Sequence, residues 1–306
     1  MVVGTKDRRG LPLKTVACRC CGLVRVDPLP TPAELSHFHE LEYRQDYKGV
    51  RTPKLKHIHR AGRLAVSRLQ RLSLHMAADA TVLDVGSSSG EWLYLLGATG
   101  RLAQGLEVNP DYAGFGRLEY GVQIQVGSIW DKDLPEQSFD MITMFHVLEH
   151  LPNPVQSLAR LRRWSKVSGL FAVEVPNINS AHQHPAKRFH YAHPIGFTPE
   201  SLSFALRLAG WVIVELSLDR HERNILAIAR PQTPAEQELA SSQAAPPAAI
   251  PQPIVDSWQA SLGYFLRLST YSRWLDRMLQ FAGEFQAVRA NRSPRQLLDH
   301  VASARQ

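Results

Sequence analysis

Apolar and polar positions follow one period early in the chain and another later. From Lys54 to Leu74, apolar residues recur at Ile58, Ala61, Leu64, Ala65, Leu69 and Leu72, a roughly helical spacing. Thr31-Pro32, with Glu34 two residues beyond the proline, marks a helix start, so 31–75 is expected to be helical. Then the period shortens. VLDV (82–85), GLEV (105–108), QIQVG (123–127), FDMITMFHV (139–147) and GLFAVEVPN (169–177) are short apolar runs of the kind buried strands show. Between them GEWLYLLGA (90–98), DYAGFGRLEYG (111–121) and the stretch from Val155 to Lys166 have helical character. Strands alternating with helices predict a parallel sheet covered on both faces. After a His-rich loop (180–197), Thr198 opens a helix over Pro199–Ala209. WVIVELSLD (211–219) and NILAIAR (224–230) then form a pair expected at an antiparallel edge.

The stretch 230–253 is rich in Pro, Ala, Gln and Ser and poor in large apolar residues, the composition of a linker. Helical spacing returns at Trp258, Leu262, Phe265 and Leu266, then at Trp274, Leu275 and Met278. The expected plan is a lead-in and helical cap (1–78), a nucleotide-type α/β domain (79–230), a linker (231–253) and a C-terminal helical appendage (254–306) that packs on the main domain or on a partner. The fold class is a Rossmann-like α/β sheet of seven strands, mostly parallel, with an antiparallel edge pair.

With 306 residues and 44% apolar content, the chain can bury one main core with appendages. It has no run of about 18 apolar residues. Its first residues, MVVGTKDRRGLPL, are charged and lack the apolar centre of a secretory signal. A cytoplasmic protein without integral membrane association is expected. The three cysteines all fall within 18–21, which excludes a disulfide scaffold. The net charge is +7, and between Tyr47 and Ala78 eight Lys/Arg occur with no acid. That run is either a solvated helix face or an attraction for an anionic partner such as a phosphate-bearing substrate, a membrane surface or RNA.

The stretch TVLDVGSSSGEW (81–92) is a strand, a glycine-containing turn and a helix start, which is how α/β proteins hold nucleotide-like ligands. Its glycines do not match the G-x-G-x-x-G spacing of dinucleotide sites. Instead Asp84-Val-Gly86-Ser-Ser88-Ser-Gly90 resembles the D/E-x-G-x-G-x-G motif of class I S-adenosylmethionine-dependent methyltransferases, with Ser88 in place of the middle glycine. FDMITMFHVLEHLPNP (139–154) is similar to the fourth-strand signature of that superfamily, and FTPESLSFALRLAGW (197–211) to its later helix. The resemblance covers about residues 15–230.

What the resemblance implies is an S-adenosylmethionine site built by Asp84, Gly86, Ser88 and Gly90. Glu107 would accept the ribose hydroxyls, and Ser128 and Ile129 would meet the adenine, where family members often carry Asp at the Ser128 position. Phe145 and His146 would complete the site. VACRCCGLVRVDPLPTPAEL (16–35) is similar to the lead-in of a bacterial subset with a zinc-ribbon-like lobe, some members of which methylate sugars or act in surface-polysaccharide clusters. Here Cys18-x-x-Cys21 supplies one pair where a structural zinc takes two, so it reads as a remnant turn. Tyr43 and Tyr47 form either a lid over the cofactor or helix packing.

Methyl transfer to a hydroxyl needs an oriented acceptor and a base, and histidine suits a base near neutral pH. His146 and His150 flank Glu149, and His182, His184, His190 and His193 crowd the later loop. The catalytic assignment is His150 and His193, with Glu149 or Glu174 as carboxylates and Asn177 orienting substrate. The loop lacks carboxylates of its own, so no metal site is assigned. The expected acceptor is a small molecule or saccharide, with or without phosphate, and no DNA partner is expected. Self-association or a partner would use the C-terminal helices. The alternatives are an RNA or protein methyltransferase, a non-catalytic methyltransferase-like partner subunit and, last, a nicotinamide-dependent oxidoreductase.

Overall fold

The computed structural model describes residues 1–37, 52–181, 183–237, 246, 250, 252–259, 264–265, 268–291 and 293–303. Tyr43, Tyr47, His182 and most of the linker lie outside them. Seven strands form one sheet in the order 211–218, 224–231, 165–176, 139–145, 81–85, 102–107 and 123–126, and four more form a second sheet in the order 2–6, 12–17, 24–26 and 195–196. The chain divides into two compact units, Met1–Ser36 with Met144–Tyr271 and His37–Thr143 with Ser272–Gln306.

In the first unit, β1 (Val2–Lys6), β2 (Pro12–Ala17), β3 (Val24–Val26) and β9 (Ile195–Gly196) pair antiparallel in sheet order. The β1–β2 turn is set by Asp7, whose Oδ1 accepts the N–H groups of Arg9 and Leu11, both at 2.8 Å. Gly10 supplies the left-handed residue at φ +83°. Val3, Ala17, Val24 and Ile178 close a core to which the helix Gln252–Gln259 adds Val255 and Trp258. The N-terminal strands precede the helical stretch expected from residue 31, in a segment to which the sequence pattern assigned no element. They alternate only in part, which hides their period.

The same unit carries β8 (Ser165–Pro176), β11 (Asn224–Pro231) and β10 (Trp211–Leu218), joined antiparallel with Val175 opposite Ile225 and Ser217 opposite Leu226. Trp211, 1% exposed, donates its indole N–H to the Leu158 carbonyl at 3.0 Å and packs on Phe171. That ties the helix Pro154–Trp164 to the edge pair. The helix Pro199–Leu208 begins with a reciprocal cap, Thr198 Oγ1 accepting the Ser201 N–H and Ser201 Oγ accepting the Thr198 N–H.

In the second unit β4 (Thr81–Val85), β5 (Leu102–Glu107) and β6 (Gln123–Val126) run parallel, with Asp84 opposite Gly105 and Glu107 opposite Val126. Helices Glu91–Ala98 and Pro110–Tyr120 are the crossovers. β7 (Phe139–Phe145) straddles the division, and Asp140 in it takes the N–H and hydroxyl of Thr81 at 2.9 and 2.7 Å. The helix Leu55–Leu72 meets the chain's last helix, Pro294–Ser303, where Leu297, Leu298 and Ile58 are fully buried. A Cβ on Gly62 would come 2.7 Å from Leu298 Cδ2, so glycine is what lets these helices approach. Arg60 and Glu284, the latter on the helix Leu268–Ala290, form a two-point ion pair, Nη2 to Oε2 at 2.7 Å. The tail thus continues the core of this unit.

Leu297→Ala is accordingly expected to cost about 2–5 kcal/mol in urea unfolding, as for a buried leucine in a packed core. A cost below about 0.5 kcal/mol, the range of surface substitutions, would mean that the last helix is not part of that core.

Candidate functional site

The first group of candidate residues sits where β4 and β5 end. Backbone φ is +78° at Gly86, +52° at Ser88 and +84° at Gly90, so every second residue of the loop is left-handed. Such an alternation exposes backbone N–H groups in a concave turn. Two of these positions are glycine, for which the conformation is free of strain, whereas at Ser88 it costs on the order of 1 kcal/mol. A compensating bond is present: the Ser88 N–H donates to Glu107 Oε2 at 2.8 Å. Glu107 Oε1 accepts the Asn109 N–H at 2.9 Å. The carboxylate, 4% exposed, is thereby held by two backbone donors, one per oxygen, and each oxygen retains accepting capacity. Gly86 and Ser87 close the base of the loop by donating to the Leu106 carbonyl at 2.8 and 2.9 Å.

Gly105 is required here as well. A Cβ on it would lie 2.6 Å from Ser87 Cβ and 2.8 Å from Leu93 Cδ1. Asp84 lies buried beside Thr143, whose hydroxyl donates to its Oδ1 at 2.7 Å. Burial pushes its carboxyl up to about 7, against the opposing effect of the Thr143 bond.

At the end of β6, Gly127 takes φ +137° and the next three residues turn around Asp131. The Ser128 N–H and hydroxyl both donate to Asp131 Oδ2, at 2.8 and 2.7 Å, and the Trp130 N–H donates to Ser128 Oγ at 3.1 Å. These bonds hold the Asp131 carboxyl below the usual carboxylate range. Ile129 is buried and Trp130 half exposed. Sequence reasoning passed over Asp131. It places an acid in the very turn where family members carry one at the position of Ser128, and the signal for it was the Ser-x-x-Asp spacing.

The second group lies in the other unit. Beyond Phe145, His146 is left-handed at φ +57°, with its N–H on the Glu174 carbonyl at 2.8 Å. Its ring stands between two carboxylates, Nε2 at 2.9 Å from Glu174 Oε1 and Nδ1 at 3.4 Å from Glu149 Oε1. Burial disfavours the charged imidazole, but the two acids overcome it and raise His146 to about 9. Glu149 is 1% exposed on the short turn Leu148–His150. His150 Nδ1 lies 2.5 Å from the Ala192 carbonyl, an acceptor, so this nitrogen carries a proton. The His193 ring is 4.7 Å from that of His150 and 3.9 Å from that of His190. Burial, then the neighbouring histidines, holds His193 well below its usual value, hence neutral.

The fold therefore brings Glu149, His150 and His193 together, with His146, Glu174 and His190 alongside. Two other candidates have local contacts of their own. His184 accepts the Ala186 N–H and packs against Tyr264 and Phe265, and the Asn177 amide donates to the Glu222 carbonyl and accepts the Asn179 N–H.

A family model described as a methyltransferase domain matches residues 57–216, just over half of the chain. A curated relative from Mycolicibacterium smegmatis, named a probable S-adenosylmethionine-dependent methyltransferase, is 31% identical over 109 residues, 35% of this chain and 42% of its own. A ubiquinone biosynthesis O-methyltransferase from Pseudomonas putida is 30% identical over 145 residues, 45% of this chain and 60% of its own. The chain thus spans about half the length of the curated relatives it matches. Among solved structures, the 1,6-didemethyltoxoflavin-N1-methyltransferase of Burkholderia thailandensis, crystallised with 1,6-didemethyltoxoflavin and S-adenosylhomocysteine, superposes with a TM-score of 0.52. At 19% identity, over 72% of this chain and 95% of that one, it shares the fold.

Two outcomes follow from the loop. Ser88→Gly removes the left-handed strain and is expected to stabilise the fold by up to about 1 kcal/mol in denaturant unfolding. A loss of stability would mean that the serine side chain, not its backbone, holds the loop. Asp84 keeps its proton to about 7 in the fold, against about 4 in an unfolded chain. Between those values the folded state binds the extra proton, so this group's contribution to stability falls as pH rises from about 4 to about 7 and is level above. Asp84→Asn is expected to lose less stability than the parent between about pH 4 and about pH 7. Equal losses would place the titration elsewhere.

Proposed function

This chain belongs to the methyltransferase-domain family, whose cofactor is S-adenosylmethionine, and we propose that it transfers a methyl group to a small-molecule or saccharide acceptor. The observation that carries the proposal is the Glu107 carboxylate bound to the Ser88 N–H. It fits a ribose diol on one side while fixing the loop on the other. The left-handed backbone at Ser88 is the conformation a glycine would take there, so the serine leaves the loop's shape intact. That argues against a non-catalytic partner subunit.

The residues present fit the cofactor. Gly86, Ser88 and Gly90 offer the backbone of the loop, Glu107 the ribose acceptor, and Ile129 with Asp131 an apolar contact and an acceptor for the adenine. Bound there, S-adenosylmethionine supplies a methyl group on a positively charged sulfur, so the protein needs no nucleophile of its own. The chain's task is to orient the acceptor and take its proton. His193 is neutral and has a lone pair for that proton; His150 would offer a second one in the neutral tautomer whose Nδ1–H faces the Ala192 carbonyl. Glu149 can then stabilise the imidazolium that forms.

A saccharide acceptor is supported by the lead-in around Cys18–Cys21, similar to that of sugar- and polysaccharide-cluster methyltransferases with a zinc-ribbon-like lobe. The ubiquinone methyltransferase relatives support a small-molecule hydroxyl acceptor more generally. Exposed Lys54, Lys56 and Arg63 would meet phosphates on a carrier. Among the described residues no helix is long and apolar enough to cross a membrane.

Calorimetric titration with S-adenosylhomocysteine tests the proposal. The unmutated chain is expected to bind, and Glu107→Ala to weaken binding by about tenfold to a hundredfold, the value of a charged hydrogen-bond acceptor. Failure of the unmutated chain to bind would overturn the assignment and favour the partner-subunit alternative.

A further inference from the structure

We propose that Glu149, His150 and His193 form a binding site for one divalent first-row transition-metal ion. One ligand atom from each, two imidazole nitrogens and a carboxylate oxygen, lie within 4.8 Å of one another. Zinc-type ligands at about 2.1 Å in tetrahedral array stand about 3.4 Å apart, so small side-chain rotations close the site. The sequence argued against a metal because the His-rich loop has no acid. The fold supplies one from elsewhere, delivering Glu149 from the turn after β7 to His193 of that loop.

Three independent features point to a ligand at this place. Glu149 is 1% exposed, yet neither of its carboxylate oxygens meets a hydrogen bond among the described residues. An ion pair with the His146 ring faces one of them at 3.4 Å, at the long end of hydrogen-bond distances. That pair leaves most of the accepting capacity of the buried carboxylate unused, and a metal ion would take it up. His150 places Nδ1 on the Ala192 carbonyl, the kind of second contact by which metal-binding histidines are oriented. A cavity of about 30 Å³ lined by Glu149 and His193, together with Arg188 and His190, gives more room than a single water needs.

The donor set decides the class of ion. Two imidazoles and one carboxylate suit Zn²⁺, Fe²⁺, Co²⁺ or Mn²⁺, whereas Mg²⁺ and Ca²⁺ prefer all-oxygen sites. Three protein ligands leave at least one coordination position open. An acceptor hydroxyl there would lose its proton at a lower pH, and the ion would take over from His193 as what makes the acceptor nucleophilic. That role rests on the methyl-transfer proposal, whereas the binding site does not.

Chelator-stripped full-length protein titrated with Co²⁺ tests it, with visible d–d absorption as the readout. One equivalent is expected to bind. His193→Ala and the isosteric Glu149→Gln should each weaken binding by roughly tenfold or more, with circular dichroism confirming that the variants fold. Should Glu149→Gln fail to fold, His150→Gln takes its place. Cys18, Cys20 and Cys21 are free thiols and a rival site, so Cys18→Ser is the control and is expected to retain the ion. Near-ultraviolet thiolate bands abolished by Cys18→Ser, or binding unchanged in His193→Ala, would overturn the proposal, as would no binding at all. Glu107→Ala should lose S-adenosylhomocysteine and keep Co²⁺, which separates failure of this site from failure of the methyltransferase assignment.

Discussion

One carboxylate organises the ends of β4 and β5. Glu107 holds Ser88 through one oxygen and Asn109 through the other. It thus fixes both the loop that follows β4 and the cap of the helix that follows β5, since Asn109 Oδ1 in turn accepts the Tyr112 N–H. Two parallel strands would otherwise end in loops of independent conformation. With both backbones tied to one side chain, the spacing between loop and acid is set before any ligand arrives, and little ordering is left for binding to accomplish. The same bond explains how a serine is tolerated at a left-handed position. The strain on Ser88 is of the order of one neutral hydrogen bond, and Ser88 has a charge-assisted one.

The histidine-rich region works by a different balance. His146 is drawn toward its charged form by Glu149 and Glu174, whereas His193, a few residues from the same cluster in space, is driven to its neutral form by burial and by other imidazoles. Two histidines of one chemical type are therefore held in different charge states at one pH. This is achieved by which neighbours carry carboxylates and not by differences in exposure alone.

Much of this was legible in the sequence, for identifiable reasons. In the larger sheet β4, β7 and β11 are short runs buried on both faces, so their apolar character survives without context, and Gly86, Gly90 and Glu107 carry spacing that a ligand-binding loop demands. The N-terminal strands were missed because Val2–Lys6 buries only Val3 and leaves its neighbours partly or fully exposed, which leaves no period to detect. The partners of His146 were missed for another reason. Glu174 is 28 residues away, and only the sheet, by ending β7 and β8 near each other's level, brings the two together. Asp131 was overlooked because Ser128 drew the attention as a departure from the family's pattern, when the local turn makes the two residues one unit.

The catalytic and metal assignments compete for the same lone pairs. A histidine that takes a proton from an acceptor cannot at that moment ligate an ion, and His193 has one nitrogen lone pair when neutral. The two states are thus alternatives of one site. An ion would use oxygens of Glu149 that make no ordinary hydrogen bond among the described residues, whereas a base at His193 would need one of them within hydrogen-bond reach once it took the proton. Glu174 holds His146 at ordinary hydrogen-bond length, 2.9 Å, while Glu149 faces the same ring at 3.4 Å. The backbone carbonyl of Ala192 orients His150 in either state.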